Sequence, residues 1–321
     1  MKKAVLFISI LLLAFLSCKK EKSTIEGGQY FHWINFQWEG DTISGRYFDK
    51  VAMFVPVKIE NVPYTFWFQF DIGARRTMVY GNSFDTIMKL FPELNKKLDT
   101  TGNIVINGQK VKSLKNITLW LDTVKFFLPE IAFYTGFGDK ITPEINLEKD
   151  TLIMGTIGRK MFYDKILVID YPHTRLAITD SLPARFISAQ AEMSVQNGTF
   201  KIPISIDGQD YLIFFDTGSS LFYLITCKDK WKDFIDTTAQ IDTFVINAWG
   251  KQETLLNAPA RFDFTIAGIT VHPEYITATE KDMFCQFFEK QGVLGIMGNK
   301  PFLDKVIFLD LKHNRFGFVK F

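Results

Sequence analysis

Residues 211–226 read YLIFFDTGSSLFYLIT: an apolar run stops at Asp216-Thr217-Gly218-Ser219, and a second apolar run follows at once. Taken alone, Asp-Thr-Gly between two hydrophobic runs reads as a hairpin turn. A second copy changes that reading. Residues 65–81 read TFWFQFDIGARRTMVYG, with Asp71-Ile72-Gly73-Ala74 between runs of the same kind. A carboxylate at the end of a buried strand is costly unless it is paired and hydrogen-bonded. Two of them, at matching places in one chain, make Asp71 and Asp216 candidates for a working pair.

The matching extends well beyond the turns. At an offset of 140, nine of the 21 positions in residues 155–175 recur in 295–315, among them Gly155/Gly295, Gly158/Gly298, Phe162/Phe302, Asp170/Asp310, His173/His313 and Arg175/Arg315. Val105-Ile106-Asn107 returns as Val245-Ile246-Asn247, and Asp71 returns as Asp216 at an offset of 145. Order and spacing kept over such a length identify an internal duplication.

Each copy predicts the same parts. An alternating hairpin comes first, turning near Asn61 in one copy and at Asp207-Gly208 in the other. The Asp-Gly turn, a further strand and a helical stretch follow. Ser83 is placed to cap the first helix, and Trp231, Phe234 and Ile235 mark its counterpart. Two or three strands come next (103–107, 117–121 and 125–133; 241–247, 261–266 and 269–277), then a Gly-Xaa-Xaa-Gly turn, a short helix and a strand pair. A third helix over 281–291 is stopped by Gly292. The expected fold is mostly β with few short helices. The expected units are 47–182, holding Asp71, and 183–321, holding Asp216, with Pro183 at the junction.

Ahead of them, residues 1–17 carry Lys2 and Lys3 before an apolar run of 13 residues, too short to span a bilayer but suited to a secretory signal. Phe15-Leu16-Ser17-Cys18 resembles a bacterial lipobox. That resemblance implies acylation of Cys18 and a lipid-anchored protein of the bacterial cell envelope; ordinary signal cleavage is the alternative. Residues 18–46 then read as a tether and an N-terminal strand. Within them, Tyr30-Phe31-His32-Trp33 to Trp38 alternates as an added edge strand would, with a lipid interface as the other destination.

Composition excludes several classes. With 47% hydrophobic residues and 33 phenylalanines, the chain is not a disordered one. Of 37 basic residues, Lys2 and Lys3 belong to the leader, leaving 35 against 35 acidic, so nucleic-acid binding has no electrostatic footing. His32, His173, His272 and His313 lack metal-ligand spacing, and neither a metal nor a cofactor is expected. Cys227 and Cys285 fit either a disulfide or two buried thiols.

If a pseudo-two-fold axis joins the two turns, Asp71 and Asp216 face each other. Like charges that close cannot both ionise, so the pair shares a proton. One carboxylate then activates a water while its protonated partner polarises a carbonyl. Over nearly all of residues 50–321 the chain resembles the pepsin and retropepsin-like aspartic proteases. The resemblance rests on Phe214–Ser219 with its copy Phe70–Ala74, on Thr156-Ile157-Gly158 and Ile296-Met297-Gly298, and on the terminal strand at 310–319. It implies a bilobal fold of two β-barrel-like lobes, an aspartic endopeptidase acting on peptide or protein substrates as a monomer, Ile72, Gly73, Ala74, Thr217, Gly218 and Ser219 as supporting turns, and Gly158 and Gly298 packed beside them. Gly158-Arg159 is also similar to the Gly-Arg pair that opens a helix in retropepsins.

Three departures bear on activity. The family has Thr where Ile72 stands, leaving Thr217 alone to brace the turns. Arg75 and Arg76 follow Asp71, and a guanidinium near the dyad would favour two carboxylates over a shared proton. The hairpin expected to act as a flap, around Asn107-Gly108, lacks the family's tyrosine, which leaves Tyr134 and Trp249 as candidate covers. These departures keep open a second reading, a catalytically impaired lipoprotein that binds peptides or an envelope partner.

Overall fold

The computed structural model describes residues 30–106, 108–142, 144–196, 198–248, 251–280 and 282–321; the signal segment, Cys18, and the candidate flap residues Asn107 and Trp249 lie outside them. The chain is mostly β. After β1 (Trp33–Asn35) come β2 (Gln37–Ile43), β3 (Arg46–Ile59), β4 (Thr65–Asp71), β5 (Met78–Tyr80), helix α1 (Gly81–Leu90), β6 (Leu98–Ile106), β7 (Gln109–Leu121), β8 (Val124–Tyr134) and β9 (Ile153–Gly158). Strands β2 to β9 form an eight-stranded sheet in the order β2-β3-β4-β9-β5-β8-β7-β6.

Strands β10 (Ile166–Asp170), β11 (Arg175–Thr179) and β12 (Ile187–Glu192) leave that sheet, and a ten-stranded one follows. It contains β13 (Ser194–Gln196), β14 (Thr199–Ile206), β15 (Gln209–Phe215), β16 (Ile225–Cys227), β17 (Asp242–Ala248), β18 (Lys251–Pro259), β19 (Phe264–Ile266), β20 (Ile269–Val271), β21 (Tyr275–Thr279) and β22 (Gly295–Met297). Its path β14-β15-β22-β16-β21-β18-β17 repeats β3-β4-β9-β5-β8-β7-β6 strand for strand. The duplication in sequence is therefore a duplication in topology.

The third sheet has six strands and takes them from both halves: β1-β11-β10-β23-β24-β12, with β23 (Val306–Asp310) and β24 (Arg315–Val319). At its centre β10 and β23 run antiparallel, Ile166 opposite Asp310 and Asp170 opposite Val306. Residues 140 positions apart thus exchange places across the pair, the register a local two-fold requires. The repeated Asp170 and Asp310 serve this sheet. Each accepts hydrogen bonds from its own His, at 173 or 313, and from Arg175 or Arg315, closing the turn between the strands.

Apolar alternation positions the turns. Along β4, Phe66, Phe68 and Phe70 face the main core with no exposed surface, and the strand then delivers Asp71. Helix α1 departs from expectation at its start: its N-cap is Tyr80, without a side-chain cap, and Ser83 Oγ donates to the Asp139 carbonyl at 2.7 Å. Ser83 lies inside the first turn, where its hydroxyl secures the loop after β8. The counterpart helix α2 (Lys228–Trp231) is a single turn, whereas α3 (Asp282–Gln291) ends at Gly292 with φ +61°. A disulfide joins Cys227, at the end of β16, to Cys285 in α3.

The aromatic segment at 30–38 becomes two edge strands. β1 pairs with β11 of the six-stranded sheet, and β2 pairs with β3. The hairpin β2–β3 runs through the 46/47 boundary expected between tether and first unit. No helix among the described residues is long and apolar enough to cross a membrane.

Candidate active site

Each Asp-Gly turn sits where a strand ends beside a parallel partner from the same half. Asp71 is opposite Gly158 in the β4–β9 pair, and the Asp216 N–H donates to the Met297 carbonyl at 3.0 Å, just past the β15–β22 pair. Gly158 and Gly298 are glycine because backbone passes through the space of a side chain. A Cβ on Gly158 would lie 2.4 Å from the Arg76 carbonyl carbon, and one on Gly298 would lie 1.5 Å from the Ser219 oxygen.

The two turns then interlock across the halves. The Asp71 and Asp216 carboxyls lie side by side, close enough for each to act on the other's titration. A Cβ on Gly73 would be 2.2 Å from the Asp216 carboxyl carbon, and one on Gly218 would be 2.7 Å from that of Asp71. Each glycine therefore leaves room for the carboxyl of the opposite half. Asp71 Oδ1 accepts the Ala74 N–H at 2.7 Å, and Asp216 Oδ1 accepts the Gly218 N–H at 2.8 Å. Thr217 braces the pair by donating its Oγ1 hydrogen to the Phe70 carbonyl at 2.8 Å while accepting the Ile72 N–H at 3.0 Å. Ile72 is buried and returns no equivalent bond. The Ser219 N–H closes the second turn onto the Asp216 carbonyl at 3.1 Å.

The arginine that reaches this site is neither Arg75 nor Arg76. Arg75 is exposed and Arg76 turns to Glu130 at 3.4 Å, so the sequence-based concern about these two residues falls. Arg159 approaches instead. It is 6% exposed, its Nη1 donates to the carbonyls of Ile72 and Gly73, and its Nε donates to the Gly198 carbonyl at 2.8 Å. The equivalent residue in the second half is Asn299, fully buried. Its Nδ2 donates to the Thr217 carbonyl and to Ser220 Oγ, both at 2.8 Å, and its Oδ1 accepts from the Tyr171 hydroxyl at 2.6 Å.

These surroundings set the titration. Burial first, and then the charge of Asp216, hold the Asp71 carboxyl well above the usual carboxylate range. Burial raises Asp216 as well, but the neighbouring Asp71 carboxyl, the Gly218 N–H and the Arg159 charge oppose it. Both carboxyls are therefore held above the usual range, Asp71 further than Asp216, and a buried pair raised in this way is disposed to share a proton. Tyr80 also belongs here: its hydroxyl bonds Thr156 Oγ1 at 2.6 Å, and burial, aided by the Asp71 charge and opposed by Thr156, leaves it pushed up to about 12.

Both carboxyls open onto a cavity of about 550 Å³. Asp41, Ile43 and Ser44 of the β2–β3 hairpin line it, as do Val245 and Glu253 of the β17–β18 hairpin. The first hairpin reaches across: Ser44 Oγ accepts the Val245 N–H at 2.9 Å, and Phe48 packs on Phe244 with ring centres 6.0 Å apart. Gly108, at the tip of β6–β7, is not among the lining residues. Tyr134 is buried between β8 and its neighbours, its ring 5.2 Å from that of Phe137, because it ends the strand paired with β5. Tyr134 is a core residue and not itself a cover, whereas Phe137 of the same loop lines the cavity. Sequence reasoning missed the β2–β3 hairpin, Tyr80 and Asn299; the identical 140 offset that pairs Gly158 with Gly298 was the available signal for Asn299.

Among the described residues no group of three or more His, Cys, Asp and Glu is placed to hold a metal ion. Compared with known proteins, the chain matches no protein-family model and no curated sequence.

Proposed function

We propose that this chain is an aspartic endopeptidase with a bilobal, pepsin-like fold, lipid-anchored through Cys18 in a bacterial cell envelope, where it acts on peptides or proteins as a monomer. The observation that carries the reading is the contact between the Asp71 and Asp216 carboxyls on the floor of a cavity, each enclosed by the glycine turn of the other half.

In this reading Asp216, ionised, takes a proton from a water lying between the carboxyls, and that water attacks the scissile carbonyl carbon. Asp71, protonated, donates toward the carbonyl oxygen as it gains charge. The tetrahedral intermediate collapses when the amide nitrogen receives the proton now on Asp216. The C–N bond breaks, and Asp71 regains its proton as the carbonyl reforms. Fixed backbone donors and a buried dyad supply the preorganisation.

One observation favours the second reading, a peptide-binding lipoprotein without hydrolysis: Ile72 leaves the turns a single hydroxyl brace. The same experiment separates the two. Wild type and Asp216→Asn are incubated with a peptide library from acid to neutral pH, with and without pepstatin. Cleavage in the wild type, lost in the variant, is expected; binding of peptides with no cleavage at any pH would establish the second reading.

A further inference from the structure

We propose that the outer face of the six-stranded sheet rests on the headgroup region of a phospholipid bilayer. This rests on the lipid-anchored reading of Cys18 above. The two faces of the sheet are built differently. Leu167, Ile169, Ile307 and Leu309 point into the main core, whereas Ile166, Val168, Ala177 and Phe308 form a separate apolar cluster on the other side. Among the described residues, that second cluster is covered off the sheet strands by Tyr30, Phe31, Leu182, Phe186 and Phe321, from chain segments rather than another sheet or α-helix.

The cover is aromatic and partly open. Phe31 packs on Trp33 and Phe186 with ring centres 5.2 and 5.7 Å apart, and the terminal Phe321 packs on Trp33 at 5.9 Å. Tyr30 and Phe321 remain 41% and 44% exposed, so the patch presents rings at its surface. Cations stand over it: the Arg185 guanidinium lies 4.8 Å from the Phe186 ring centre and that of Arg175 4.2 Å from Trp33. Rings with polar edges suit a headgroup layer; Arg175 is already paired with the buried Asp170, so Arg185 carries the attraction to anionic lipid.

The tether selects the bilayer as the occupant. From Cys18 to Tyr30 is 12 residue steps. Fully extended, such a segment reaches about 40 Å, and as a flexible coil about 20 Å. In the lipid-anchored reading it starts in the membrane surface and ends in the patch, so the patch carries the point of attachment and is the face a short coiled tether brings to lipid first. The remaining contacts would be made under an anchor already in place, where modest apolar burial suffices.

The test uses the mature acylated protein reconstituted in vesicles of phosphatidylethanolamine and phosphatidylglycerol, with bromine on the acyl chains near the headgroups. Tryptophan quenching is compared in wild type, Trp33→Phe, and the double variant Tyr30→Ser with Phe321→Ser. Expected are quenching that largely disappears in Trp33→Phe and falls severalfold in the double variant, which keeps the anchor and a native circular dichroism spectrum. Quenching indifferent to all three substitutions overturns the proposal, as does self-association that buries Trp33 without lipid. Mass spectrometry reads the anchor separately. An unacylated chain that still floats with vesicles and keeps the Trp33 signal removes the anchor and retains the face, and one that does not float overturns both. Peptide cleavage plays no part in these readouts, so loss of the peptidase reading leaves the result intact.

Discussion

Beneath Asp71 the turn after β9 supplies Arg159, whereas beneath Asp216 the turn after β22 supplies Asn299. Both residues meet one backbone demand, a donor for the carbonyl of the residue that follows the aspartate. They meet it with different chemistry. Asn299 is a neutral amide in a closed network with Tyr171 and Ser220, and it adds no charge to the site. Arg159 is a buried cation within electrostatic reach of both carboxyls. The comparison separates two tasks that a symmetric pair would merge: both halves hold their turn, and one half also adds a cation that favours the ionised carboxyls.

The glycine pair offers the largest break. The Gly298→Ala methyl would meet the Ser219 carbonyl oxygen at 1.5 Å, while that of Gly158→Ala would meet Arg76 backbone at 2.4 Å. Neither neighbour is a side chain that can swing away. Urea unfolding is expected to show a loss of about 3 kcal/mol or more for Gly298→Ala, with Gly158→Ala the milder of the two. The reverse order would mean that the second half relaxes more easily than its geometry implies.

Arg159→Gln against Asn299→Ala sharpens the charge difference. Each removes hydrogen bonds to buried carbonyls, with expected losses of about 2–3 and about 1–2 kcal/mol. Only the first should move the pH dependence of peptide cleavage. The Arg159 charge favours ionised carboxylates, so its removal raises the values of both Asp71 and Asp216, and both limbs of the profile shift toward higher pH. An unshifted profile in Arg159→Gln would reduce that residue to a scaffold, like its counterpart.

The smallest effect is expected at the missing brace. Ile72→Thr replaces a buried ethyl group with a hydroxyl that can mirror the Thr217 to Phe70 bond. Thermal unfolding should place it within about 1 kcal/mol of wild type, since a hydrogen bond worth about 1 kcal/mol offsets most of the roughly 1.5 kcal/mol of lost burial. A large destabilisation would show that the Ile72 side chain packs in a space closed to a polar group.

Much of this comparison was legible in residue order. The 140-residue repeat implied the duplicated strand path now seen in the two large sheets, and the paired Asp-Gly turns pointed to Asp71 and Asp216. Alternation located β3 and β4, and the Asp207-Gly208 turn between apolar runs located β14 and β15, which are buried along much of their length. What escaped were contacts decided by reach. Arg159 touches carbonyls 86 and 87 residues away in sequence, which no local pattern encodes. Arg75 and Arg76 looked closer to Asp71 than Arg159 does, yet the turn sends the first to solvent and the second to Glu130. Tyr134 resembled a lid residue because its neighbours are Gly and aromatic, but strand pairing with Tyr80 fixes it in the core. The β2–β3 hairpin escaped for a similar reason, since its place over the cavity depends on a contact between Ser44 and Val245.

The most direct test of a proton shared across the two halves is the pH–rate profile of peptide cleavage in wild type and in Asp71→Asn. The expected profile is a bell, its alkaline limb set by loss of the Asp71 proton well above the usual carboxylate range and its acid limb by protonation of Asp216. Asp71→Asn should lower the rate by about 10²–10⁴-fold or more at every pH. Cleavage that persists undiminished in that variant, or a wild-type rate with no alkaline limb, would contradict the shared proton.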